Sequence, residues 1–286
     1  MKTTLCSLLL FFQICAYPQR INADLHVGVS NYQGDLQAKR FTFNDAKPAF
    51  GLGLSYYITN KVIIRGVASY LKVLGKDRPG IPAYDFFDRN SNFESNILEA
   101  QLAVEYNLYD LEERSFTPYA FAGVAAFHFS PYTFDKTGKK EFLRTYATEG
   151  QGLPQYPDKK LYKNKQIAIP FGGGVKFVLS DRIQMGVEIG LRKLFTDYLD
   201  DVSGTYADSS ILASARGPQA AALAYRGSEI KGYVPYPEEG SIRGNPKSKD
   251  WYYTTGLKIS YSFGSFGGNG TSSLRKSKTG CPSNVY

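Results

Sequence analysis

Apolar and polar residues alternate with a period of two along most of this chain. The clearest stretch is ILEAQLAVEYNL, residues 97–108. There Leu98, Ala100, Leu102, Val104, Tyr106 and Leu108 face one way, and Glu99, Gln101, Glu105 and Asn107 the other. A helix would bring an apolar side chain round every third or fourth position, so a period of two over the whole run predicts a strand. Comparable runs occupy 25–32, 49–58, 61–72, 119–129, 167–178, 182–193 and 251–263, which makes eight predicted strands. Each is close to the roughly ten residues that a membrane-crossing strand needs.

The polar face of these strands carries charge: Glu99, Glu105, Lys176, Glu188, Arg192 and Lys258. A dry sandwich core would not accept them singly, whereas a narrow barrel lumen lets them pair. On residues 119–129 the aromatic face, Tyr119, Phe121, Phe127 and Phe129, is read as lipid-facing. That reading turns His128 and Ser130 towards the lumen. Tyr56, Tyr70, Tyr106, Tyr119, Phe129, Trp251 and Phe263 stand near strand ends, where interfacial girdles form.

The connections alternate in length. Short links (TN, YDLEERSFT and SD) separate strands two from three, four from five and six from seven, and the other connections are long. Short periplasmic turns and long outer loops belong to outer-membrane barrels. The expected fold is therefore all-β: an eight-stranded antiparallel up-and-down transmembrane barrel over residues 24–263. A mean hydropathy of −0.30 does not oppose this, because alternating strands average out.

The first residues, MKTTLCSLLLFFQICAYPQRINAD, place Lys2 before an apolar run from Leu5 to Ala16. This is the pattern of a secretory signal peptide, expected over 1–23 with cleavage after Ala16 or Ala23. Residues 264–286, rich in Gly, Ser and Lys, read as a flexible tail. By strand parity that tail emerges in the periplasm. Loss of the leader removes Cys6 and Cys15 and leaves Cys281, beside Pro282, as a lone thiol or an intermolecular partner. The net charge of +8 is scattered. For an exported chain it suits outer-membrane lipid headgroups or an acidic partner, not nucleic acid.

Candidate chemistry is sparse. Asp197, Asp200, Asp201 and Asp208 form the densest acid cluster, but their spacing misses that of a calcium loop. They read as turn formers bonding to nearby backbone amides. His128 and Ser130, with Glu141 as a third member, outline an acyl hydrolase, but a lumenal pair would be out of reach of a lipid ester. FGGGV lacks the Lys-Ser/Thr of a phosphate loop and reads as a close-packed part of the wall. No catalytic residue, metal or cofactor is expected.

Several segments together resemble one family. GVSNYQGDL, FTPYAFAGVAAFHFSP, TEGQG, IAIPFGGGVKF, LRKLFTDYLDDVSGTYAD and RGNPKSKDWYYTTGLKISYSF look like the PorG-type outer-membrane proteins of the type IX secretion system. The resemblance implies a non-enzymatic Gram-negative barrel over a periplasmic ring built from a lipoprotein (PorK) and its partner (PorN), needed for cargo export. The residues that carry it are Asp197, Tyr198, Asp200, Asp201, Gly204 and Tyr206 in one segment, and Gly244, Asn245, Pro246, Asp250 and Trp251 in the other. Cys281-Pro282 resembles the family's ending and marks the expected contact with the ring. The alternatives are a stand-alone barrel, acting as tether or adhesin, and a lipid A acyl hydrolase.

Overall fold

The computed structural model describes residues 20–37, 41–77, 89–230 and 235–264. Eight long strands close into an antiparallel barrel. They are β1 (Ile21–Gln33), β2 (Lys47–Tyr57), β3 (Val62–Lys76), β4 (Asn92–Asn107), β5 (Phe116–Phe134), β7 (Lys165–Val178), β8 (Ile183–Leu194) and β9 (Trp251–Ser262). Each pairs with its neighbour in sequence, and β9 returns to β1. Closure satisfies every strand edge, which a lipid environment requires. A three-residue strand, β6 (Lys140–Phe142), pairs with the outer end of β5. Strand β1 begins at Ile21, so residues 21–23 already pair with β2. Residues 1–19 and 265–286, which take in most of the expected signal peptide and nearly all of the expected tail, lie outside the described residues.

The short turns gather at one end. Ile58 N donates to Val62 O, and Leu179 N to Ile183 O, each at 2.9 Å. The long connections start and end at the other end: 34–46, 77–91, 135–164 and 195–250 each join strand ends there.

The two faces of the wall differ completely. Outward positions 50–56, 64–70, 98–106, 167–177, 183–191 and 253–261 hold no Asp, Glu, Lys or Arg. Leu52, Leu98 and Ile167 are more than half exposed, which would be unfavourable in water over so wide a band. Inward, Glu105 meets Arg65 at 3.1 Å, Lys258 at 3.1 Å and Lys176. Glu188 meets the same Arg65 nitrogen at 2.5 Å, Asp24 lies 3.5 Å from Lys258, and Glu99 lies 3.0 Å from Arg192. Four cations thus face four carboxylates in the lumen, and Tyr119 Oη donates to Glu188 at 2.9 Å.

Strand β5 corrects the reading of its faces. Tyr119, Phe121, Phe127 and Phe129 are buried in the lumen, while Ala122, Val124, Ala126 and His128 point outward. The aromatics fill the barrel, and Phe121 lies under the Arg65 guanidinium, 3.7 Å from its carbon. Tyr119 and Phe129 are therefore not girdle residues. The glycine run of β7 is a close approach, as read: a Cβ at Gly174 would fall 2.1 Å from Val187 O.

Replacing Glu105 by Ala leaves Arg65, Lys176 and Lys258 without their shared carboxylate. Stranding buried charge costs about 3–5 kcal/mol. The urea midpoint of the detergent-solubilised barrel, followed by its heat-modifiable mobility, should drop clearly in Glu105→Ala. It should move much less in Leu102→Ala, on the outward face.

Candidate functional site

The outer mouth of the barrel is sealed by its own connections. Above the lumenal charges, Leu71, Ile97, Phe127 and Phe129 of the wall pack with Leu143, Tyr162, Leu199 and Val202 of the loops in one apolar cluster. Three short helices complete the cap: α1 (Leu143–Tyr146), α2 (Ser209–Arg216) and α3 (Pro218–Ala224). Asp208 belongs to this framework rather than to the acid cluster. Its Oδ1 accepts from Ser210 N and Ile211 N at 2.8 and 2.9 Å and caps α2.

The two segments that carry the family resemblance fold against one another. Thr205 bridges to Ile242, and Gly204 O accepts from Arg243 N at 2.8 Å and Gly244 N at 3.0 Å. Gly244 makes a close approach there: a Cβ would fall 2.3 Å from Asp35 Oδ2 and 2.8 Å from Val202 Cγ1. Asn245 N donates to the same oxygen at 2.9 Å, and Pro246 O accepts from Lys249 Nζ at 2.9 Å. Tyr206 packs edge-on against Tyr225 and Tyr236. Trp251 opens β9 and meets Phe171 of the outer wall edge-on at 6.1 Å.

Between these segments lie the acids, nearly all buried. Tyr32, from the end of β1, donates to Asp200 Oδ2 at 2.5 Å, and its hydroxyl lies 3.2 Å from Asp250 Oδ1. Backbone amides occupy the remaining oxygens: Val202 N on Asp200 Oδ1 and Leu199 N on Asp250 Oδ2, both at 2.9 Å. One hydroxyl hydrogen cannot serve two carboxylates, so a proton held on one of them completes the arrangement. Burial, and then the neighbouring acids, raise both groups well above the usual carboxylate range.

Asp201 adopts a left-handed backbone, with φ of 67°. Thr148 and Tyr162 hydroxyls bond its carboxylate, and Arg243 Nη1 donates to its carbonyl at 2.7 Å. Burial pushes Asp201 up to about 6, with Arg243 opposing. Glu149 accepts from Ser203 N at 2.9 Å, Gly204 N, Tyr198 Oη at 3.2 Å and Arg243 Nη1 at 3.0 Å. Asp197 accepts from Ser203 Oγ at 2.7 Å, while its buried Oδ1 has no partner. Burial pushes Asp197 up to about 7.

These carboxylates are pins. They face hydroxyls, backbone amides and the Arg243 guanidinium, and no group of three His, Cys, Asp or Glu among the described residues could hold a metal ion. The turn-forming reading therefore covers Asp200 and Asp208, whereas Asp201 and Asp250 tie distant segments together. Tyr32, Thr148, Glu149, Tyr162 and Arg243 are the partners that the spacing of the acids did not reveal. Tyr32, Thr148 and Glu149 do lie inside the quoted stretches GVSNYQGDL and TEGQG.

His128 and Ser130 also correct their expectation. Both stand on the outer side of the wall, with Ser130 Oγ 3.4 Å from His128 Nε2. Glu141 pairs opposite Thr133 and so lies on the other face of β5. Its carboxylate accepts from Tyr146 and meets Lys139. No hydrolytic triad is assembled. Cys281 and Pro282 lie outside the described residues.

A family model described as "Domain of unknown function (DUF6089)" matches residues 2–216. The chain belongs to this family. The match takes in β1–β8 and the first part of the cap of this DUF6089 chain. None of the curated proteins matches it. Solved structures similar to it include the attachment invasion locus protein Ail of Yersinia pestis, at 8% identity and a TM-score of 0.40, covering 85% of this chain and 97% of Ail. Neisserial surface protein A gives 8% and 0.40, with 85% and 96% covered. The outer membrane protein OprG of Pseudomonas aeruginosa gives 12% and 0.40, with 85% and 97% covered.

The raised carboxylates set a pH dependence. A proton bound more tightly in the folded cap stabilises it fully below the ordinary carboxylate value. That contribution is lost as pH rises through the folded-state value. For Asp197 the window runs from 3.8 to about 7. Amide exchange protection across residues 195–206, corrected for intrinsic rates, should fall over this window. Asp197→Asn should flatten the profile and leave the cap better protected than wild type at pH 8.

Proposed function

We propose that this DUF6089 chain is a non-enzymatic outer-membrane component of a type IX secretion machinery, seated in the bilayer as a plugged barrel and contacting a periplasmic ring of the PorK/PorN type. The observation that carries the reading is the filled interior. Paired charges occupy the lumen and a folded cap closes its outer end, so the chain is suited to act as a fixed scaffold rather than as a conduit. The charge-free outer band supports insertion into a membrane. No helix among the described residues is long and apolar enough to cross a membrane.

The ring contact is supported by topology. Strand β9 ends at the short-turn end, where Ser262 N donates to Arg182 O at 2.8 Å and Phe263 N to Ile21 O at 3.1 Å. Residues beyond 264 therefore start from the end opposite the cap, the periplasmic side in this reading. Cys281 and Pro282 lie further along the same segment in sequence and are the residues assigned here to the ring contact. The signal-peptide reading of residues 1–23 agrees with delivery to that compartment. A stand-alone tether or adhesin is the second reading, favoured by the built outer cap. The lipid hydrolase reading lacks an acid beside His128.

Tagged protein captured from native envelopes in mild detergent should bring down the ring lipoprotein and its partner. A reductant-sensitive band should vanish in Cys281→Ser. Capture of the barrel alone would remove the secretion reading and leave the outer cap as the functional surface.

A further inference from the structure

Three rows of outward side chains cross β3, β4, β5 and β7 near the capped end. The lowest is Ala68–Ala100–Ala126–Ile167, joined strand to strand by the ladder. The next is Tyr70–Leu98–His128–Lys165, and above it stand Lys72, Asn96 and Ser130. Apolar wall therefore gives way to hydrogen-bonding and cationic groups within two rows, the profile of a bilayer interface. The small row leaves a groove of about 790 Å³, whose sides are Leu98, Ile167 and Phe195 and whose polar rim is His128 and Lys165.

The cations of this rim differ in their partners. Lys47 and Lys72 share one carboxylate, Glu94. Lys165, which is exposed, has no carboxylate within ion-pair distance among the described residues. A lone cation at an interface, directly above an apolar furrow floored by alanines, is complementary to an amphiphile with an anionic head and a saturated chain.

We propose that this groove is a site for one molecule of the phosphorylated glycolipid of the outer leaflet. One acyl chain lies over Ala68, Ala100 and Ala126, and a phosphate is held by Lys165 with a hydrogen bond from His128. The assignment to the outer leaflet rests on the outer-membrane reading, because the groove lies towards the long-loop end. It does not rest on the secretion role. His128 and Ser130, which lack an acid partner for catalysis, then have a binding role at the same spot.

The test uses full-length protein extracted from outer membranes, exchanged into mild detergent and weighed by native mass spectrometry. It is then reloaded in nanodiscs containing either purified lipid A or phosphatidylglycerol. Wild type should retain one lipid A per barrel and prefer it to phosphatidylglycerol. Lys165→Glu with His128→Gln should cut occupancy by at least about tenfold, the scale of a charge-assisted contact. Ala126→Leu should do so by filling the furrow without changing charge. Lys193→Gln, an outward lysine beyond the groove, should leave occupancy unchanged. Heat-modifiable mobility checks that each variant is folded.

Equal retention by the folded Lys165→Glu/His128→Gln and Ala126→Leu variants would overturn the proposal. So would equal retention of phosphatidylglycerol, or no retained lipid in a protein that fractionates with the outer membrane. Fractionation away from the outer membrane would instead overturn the membrane placement on which the proposal stands.

Discussion

Everything in this barrel depends on one carboxylate that has to satisfy three cations. Glu105 is fully buried, and Arg65, Lys176 and Lys258 converge on it. Strand alternation forces half of each strand inward, and an eight-stranded barrel leaves too little room for water to screen what arrives there. Charge in such a space is tolerable only if it is matched. The four acids and four bases of the lumen meet that condition.

The cap extends the same economy above the membrane zone. Tyr32 links the barrel to Asp200 and Asp250, and Arg243 with Glu149 joins segments far apart in the chain. The acids are mostly paired with hydroxyls rather than with cations, so burial leaves them reluctant to ionise. The outcome is a lid held by carboxylates that bind a proton more tightly than usual.

Strand positions were legible because lipid and lumen impose opposite chemistries on alternate residues. ILEAQLAVEYNL shows it directly, with four polar residues on one face and none on the other. Strand β5 was legible as a strand but not in its orientation. Its two faces are aromatic and small, with no Asp, Glu, Lys or Arg to say which looks inward. Both faces are compatible with lipid; what decides is the volume the lumen has to fill, and the neighbouring strands set that. The acids at 197–201 were visible as a cluster, yet their partners were not. Tyr32 and Asp250 stand 218 residues apart, and no local period encodes such a contact. Asp208 resembled its neighbours in composition and differs only because a helix begins beside it.

The measurement that goes most directly to the closed interior is single-channel recording of the purified, refolded chain in a planar bilayer at neutral pH. A lumen filled by paired side chains and sealed by its cap gives a flat baseline, with no reproducible conductance steps after verified insertion. Stable, voltage-independent steps from the wild-type barrel would mean that an aqueous path runs past Glu105 and the cap, and would contradict the scaffold reading.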